Sequence, residues 1–137
     1  MEKGSHAFKE NPKNKNIKIY VNGQIKSRGE AVVSVFDSGF LLGDGLWEGI
    51  RLHNGKLMFV DQHLDRLFEG SKAIDLDIGL TKEELIEAIT YICKINKMTS
   101  GVHIRLVVTR GIKKTPFQSP RANTGKSTIV IIPEWKE

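Results

Sequence analysis

One cysteine, Cys93, is all that the 137-residue sequence holds, which excludes an internal disulfide. It lies among Ile89, Ile92 and Ile95, the setting of a buried core thiol rather than a nucleophile. No run of about 18 apolar residues occurs, so no segment is expected to span a membrane. The lysines near the N-terminus lead into no apolar stretch, so nothing reads as a secretory signal. The four histidines, His6, His53, His63 and His103, have neither paired spacing nor a cysteine nearby, so no metal site is expected. A Gly-x-Ser-x-Gly elbow for a nucleophilic serine is absent. Gly43-Asp44-Gly45 is glycine-rich but matches neither phosphate-loop fingerprint, and alone it reads as a tight turn. Hydrophobic residues at 39% and charged residues at 27% are ordinary for a globular domain, and a cytoplasmic location is expected.

The net charge of +5 comes from 21 Lys and Arg against 16 Asp and Glu. Residues 1–18 supply +3 of it, five lysines against two glutamates, leaving about +2 for the rest. Residues 1–16 have hardly an apolar side chain and are expected to be a disordered basic tail. The small remaining charge, with no basic and aromatic side chains interleaved for base stacking, argues against a nucleic-acid partner.

From Ile17 the pattern becomes regular. Ile17, Ile19 and Val21 alternate with polar residues up to Asn22-Gly23, a two-residue hairpin signal, with a return strand from Gln24 to Ser27. An apolar run from Ala31 to Phe36 is followed by Phe40 to Gly45, which has no clean period and reads as a loop. Leu46 to His53 reads as a strand, Asn54-Gly55 as its turn, and Lys56 to Val60 as its partner. Asp61 should cap a helix whose buried stripe is Leu64, Leu67, Phe68, Ser71 and Ile74. Thr81 with Glu84 is a capping box for a second helix, with stripe Leu85, Ala88, Ile89, Ile92 and Asn96. Gly101 to Arg110 is a β-branched strand, Gly111 to Gly125 a long loop, and Ser127 to Ile132 a last strand ended by Pro133. The expected fold is α+β, a two-layer sandwich of a mainly antiparallel sheet with two helices on one face.

In the strand from Gly101, Ile104, Leu106 and Val108 share one face, and His103, Arg105, Val107 and Thr109 the other. A face carrying histidine and arginine together is either solvated or lines a polar site, and spacing alone favours the solvated face. Arg66 points away from the apolar stripe of its helix and by spacing is a surface charge.

The ordered set of segments changes that weighing. Asp37 to Arg51, read as Asp-Ser-Gly-Phe-Leu-Leu-Gly-Asp-Gly-Leu-Trp-Glu-Gly-Ile-Arg, resembles the loop-and-strand signature of class IV (fold-type IV) aminotransferases dependent on pyridoxal 5′-phosphate. Asn54-Gly55, His63-Leu-Asp-Arg-Leu67, Val108-Thr-Arg-Gly111 and a proline-bearing loop follow in the family's order. The resemblance spans Ile17 to Trp135, and Glu48-Gly-Ile-Arg51 is closer to the branched-chain than to the D-amino-acid enzymes of the family. It implies that Arg66 holds the cofactor phosphate, as a guanidinium suits two phosphate oxygens. It implies further that Arg105 meets the substrate carboxylate, with His103 where a tyrosine is common, and that Phe40, Leu42 and Trp47 shape the substrate pocket. Leu42 replaces a frequent aromatic, and Thr115 and Phe117 stand where D-amino-acid enzymes carry Arg and His. The Gly111–Gly125 loop corresponds to one that reaches toward the active site.

By the same resemblance, residues 17–137 are the N-terminal domain of an enzyme that moves an amino group between an amino acid and a 2-oxo acid. The lysine that forms a Schiff base with the cofactor lies in a C-terminal domain beyond Glu137. None of Lys56, Lys82, Lys94, Lys113 and Lys114 reads as buried enough to replace it, so the chain carries no catalytic residue of its own and should bind the cofactor weakly and be inactive. The apolar surface left for a second domain and a twin subunit implies a homodimer. An aminodeoxychorismate-lyase-like enzyme of the same family, and a stand-alone module binding an anion or a partner through Arg66, His103 and Arg105, are the alternatives.

Overall fold

A computed structural model of the protein describes residues 9–136. Two Asn-Gly turns open the sheet. Asn22 and Gly23 (φ 50° and 85°) and Asn54 and Gly55 (φ 48° and 77°) are all left-handed, as the tight hairpin turn demands. They join β1 (Lys18–Val21) to β2 (Gln24–Ser27) and β3 (Gly45–His53) to β4 (Lys56–Leu57). A short helix, α1 (Ser38–Leu42), leads into β3. β5 (Val102–Thr109) and β6 (Thr128–Trp135) complete a six-stranded antiparallel sheet in the order β2-β1-β6-β5-β3-β4.

Two longer helices, α2 (Val60–Ala73) and α3 (Lys82–Ile95), cover one face. Period-2 strands and period-3.6 helices meet there: Ile50, Ile104, Leu106, Val108 and Ile131 from the sheet pack with Leu64, Leu67, Leu85, Ile89 and Ile92. Each such side chain contributes roughly 1.5–3 kcal/mol by leaving water. The two-layer α+β expectation and the Thr81–Glu84 capping box hold in the structure. No helix among the described residues is long and apolar enough to cross a membrane.

Several local expectations fail for identifiable reasons. Residues 1–8 of the expected tail lie outside the described residues, but Pro12–Asn16 form a 3-10 turn. Asn14 is buried and pairs with Trp135 as a strand residue would: its Nδ2 donates to Trp135 O at 3.0 Å, and Trp135 N donates to its Oδ1 at 2.7 Å. The run Phe40 to Gly45 is not all loop. Its first residues belong to α1, which is capped by the Asp37 carboxylate and ended by left-handed Gly43. β4 stops at Leu57, because Phe59 adopts φ 54° and turns the chain into α2; Asp61 lies in the first turn rather than at the cap. β6 runs through Pro133 to Trp135. Pro133 is tolerated because its nitrogen is on the side of β6 that β1 reaches only at Val130 and Ile131.

Lys113 also departs from expectation, being only 2% exposed. The 111–125 segment folds back on itself through a bridge between Lys113 and Asn123. Lys113 Nζ then donates to Asn123 Oδ1 at 2.8 Å and Ser119 O at 3.2 Å, while Asn123 Nδ2 donates to Ser38 Oγ at 2.8 Å. This buried polar chain ties the loop to the first residue of α1.

Candidate active site

Alternation along β3 distributes its side chains to two sides. Glu48 shares the helix-facing side with Ile50 and Leu52, whereas Trp47, Gly49, Arg51 and His53 share the open side. A carboxylate 5% exposed in that row needs partners, because a buried unpaired charge is strongly disfavoured. α2 supplies them from one turn. Arg66 donates from Nε to Glu48 Oε2 at 2.9 Å and from Nη2 to Oε1 at 2.7 Å. His63, three residues earlier on the same helical face, places Nδ1 2.8 Å from Oε1. An ionised carboxylate only accepts, so His63 carries the hydrogen on Nδ1. The Arg66 guanidinium holds the Glu48 carboxyl below its ordinary pKa; burial opposes this, and His63 adds to the lowering. Glu48 and His63 escaped the sequence reading as functional residues. The available signal was an acid inside the Glu48, Ile50, Leu52 row, with a histidine and an arginine one turn apart on the next helix.

The open face holds the other candidates. The Arg105 guanidinium lies 4.1 Å from the centre of the Trp47 ring, a cation–π stack. His103, the neighbour on the same side of β5, lies over Gly49: a Cβ there would stand 2.8 Å from His103 Nε2, so glycine leaves room for the imidazole. Burial lowers the pKa of His103, reinforced by the positive charges of Lys136, Arg105 and Arg51. Phe40 projects from α1 beside Trp47, and with Val107 and Val130 they line an apolar cleft of about 460 Å³. His103 belongs to a second cleft of about 460 Å³ with Gly49, Met58 and His63.

The structure therefore joins Phe40 with Trp47, Trp47 with Arg105, and His103 with Gly49. Leu42 is exposed at 46% and lines neither cleft. Arg66 lines neither as well, and its link to the second cleft runs through Glu48 and His63. This face is open, and its aromatic side chains are uncovered beside the charged ones, with Phe40 70% and Trp47 59% exposed.

Comparison with known proteins sets this geometry among relatives. A family model described as Amino-transferase class IV matches residues 45–136. The chain is 43% identical over 116 residues to a putative branched-chain-amino-acid aminotransferase of Methanocaldococcus jannaschii, covering 85% of this chain and 39% of that one. The branched-chain aminotransferase of the thermophilic archaeon Thermoproteus uzoniensis, solved with norvaline, matches at a TM-score of 0.72 and 27% identity, over 87% of this chain and 40% of that one. The 4-amino-4-deoxychorismate lyase of Pseudomonas aeruginosa matches at 0.67 and 25%, over 85% and 39%. The chain spans well under half the length of the curated relatives it matches.

Proposed function

Since this chain belongs to the class IV aminotransferase family, we propose that it forms the N-terminal, small domain of a transaminase dependent on pyridoxal 5′-phosphate. The enzyme moves an amino group between an amino acid, of branched-chain type, and a 2-oxo acid. The observation that carries this reading is the Arg66 guanidinium. Its Nε and one Nη2 hydrogen are engaged by Glu48, its side chain is 71% exposed, and among the described residues Nη1 has no partner. Such a group fits a phosphate, to which it can give two charge-assisted bonds. When bound, the cofactor supplies the electron sink for carbanion chemistry.

The chain's own residues supply binding and exclusion of water. Arg105 meets the substrate carboxylate, held in place by its stack on Trp47. Phe40 and Trp47 wall the apolar side-chain pocket, a surface suited to aliphatic substrates. His103, disfavoured from protonation, offers a neutral imidazole beside Gly49. The covalent lysine is assigned to a second domain, in keeping with the 40% of the Thermoproteus enzyme that the chain spans. Lys113, though buried, gives its ammonium hydrogens to Ser119 and Asn123. The exposed apolar side chains Val32, Val35, Phe40 and Phe117 support a homodimer, and a cytoplasmic location is part of the proposal.

The test is a transamination assay with the full-length protein, 2-oxoglutarate and a panel of leucine, valine, isoleucine and D-alanine. Turnover of the branched-chain set is expected, and turnover of D-alanine alone would reject the substrate assignment. The 137-residue chain by itself should show no turnover. A lyase reading is favoured by the likeness to the Pseudomonas enzyme, and pyruvate release from aminodeoxychorismate would establish it instead.

A further inference from the structure

We infer that Glu48 is a positioning residue for phosphate recognition: it grips the Nε–Nη2 edge of the Arg66 guanidinium so that the adjoining Nη1–Nη2 edge is presented to the anion. The inference rests on Arg66 being the phosphate ligand, as proposed above. A side chain 71% exposed, with several rotatable bonds, has no fixed geometry of its own. Glu48 has one, because its backbone is held in the β3–β5 ladder opposite Leu106 and its carboxylate is 5% exposed. His63 braces that carboxylate from α2 at 2.8 Å.

The donor arithmetic decides what is left over. Of five guanidinium hydrogens, Nε–H and one on Nη2 go to Glu48. Three remain, two on Nη1 and one on Nη2, and they form the edge whose spacing matches two phosphate oxygens. Glu48 also acts against the anion, since a carboxylate behind the guanidinium reduces its net attraction. That repulsion acts through a water-exposed group and is screened. The ordering of a long side chain is not screened, so the positioning effect dominates. A glutamine at this place keeps one acceptor oxygen but cannot reproduce the two-point grip, because its amide NH2 would face the other guanidinium N–H.

The experiment is a binding titration of the full-length apoprotein with pyridoxal 5′-phosphate and, separately, with pyridoxal, which lacks the phosphate. Glu48→Gln is expected to raise the Kd for the phosphorylated ligand about tenfold, equivalent to 1.4 kcal/mol, and to leave the Kd for pyridoxal within about twofold. Arg66→Met should lose the same phosphate preference, and the double variant should be no weaker than Arg66→Met alone. Equal weakening of both ligands by Glu48→Gln, or no effect on either, overturns the inference. If Arg66→Met loses the preference while Glu48→Gln keeps it, the inference falls and the reading of Arg66 stands. If Arg66→Met keeps the preference, the reading of Arg66 falls and takes the inference with it. A measurement on the unaltered protein guards against a misfolded variant. The Arg66 Nε–H signal should exchange slowly with water at neutral pH, and rapid exchange would show that Glu48 does not hold it.

Discussion

Gly111→Ala should be among the most damaging single-methyl substitutions in this protein. Gly111 has φ +97°, and a Cβ added there would lie 1.7 Å from Lys126 O and 2.9 Å from Lys126 C. Both are backbone atoms, so no rotamer change relieves the overlap. The Gly111 carbonyl also accepts from Ser38 N at 2.8 Å, Ser38 Oγ at 2.7 Å and Asn123 Nδ2 at 3.2 Å. Displacing it breaks the junction of the 111–125 loop with α1. Left-handed backbone at a non-glycine residue costs roughly 1–2 kcal/mol, overpacking typically about 1–3 kcal/mol, and each strained buried hydrogen bond about 1 kcal/mol. A loss of at least about 3 kcal/mol follows from these terms together. Gly43→Ala is the control, since Gly43 has φ +66° with nothing within 4 Å of its added Cβ; it should cost only about 1–2 kcal/mol. Urea denaturation of both variants measures the difference. Equal losses, or a loss below about 1 kcal/mol for Gly111→Ala, would refute the steric argument.

Three further outcomes follow from the ionisable groups. Glu48 has a folded pKa below its ordinary 4.5, so its stabilising contribution is fully present above that value and is lost as pH falls through the lower folded pKa. Glu48→Gln should therefore flatten the acid limb of a stability profile taken from about pH 6 to pH 3, and an unchanged limb would show that other carboxylates set it. His103 has its pKa lowered below 6.5, mainly by burial, so the fold loses stability as pH falls below 6.5 and through that depressed value. An NMR titration of its ring should give a midpoint under 6.5, moving up in Arg105→Met; a midpoint above 6.5 contradicts the burial seen here. The Cys93 thiol is pushed up to about 11 by burial, so iodoacetamide at about pH 8 should label it only after unfolding, and rapid labelling of native protein would contradict its 4% exposure.

What the sequence by itself determined is local and periodic. Asn22-Gly23 and Asn54-Gly55 dictated hairpins because their left-handed preference needs no distant partner. Thr81 and Glu84 capped α3 through contacts three residues apart. The alternation of Val102 to Thr109 placed Ile104, Leu106 and Val108 in the core before any neighbour was known. The order of segments from Asp37 to Gly111 was enough for the family, because its motifs are read along the chain. The tertiary structure decided whatever depended on groups distant in sequence. Asn14 became ordered through Trp135, 121 residues away. Pro133 stayed within β6 because β1 leaves that stretch of its edge unpaired. Lys113 was buried by a loop whose closure no periodicity reports. Glu48 looked like one letter of a motif until α2 crossed β3 and set Arg66 and His63 against it, 18 and 15 residues on. A charge inside a strand declares that it needs a partner, but only the packing of helix on sheet chooses which one.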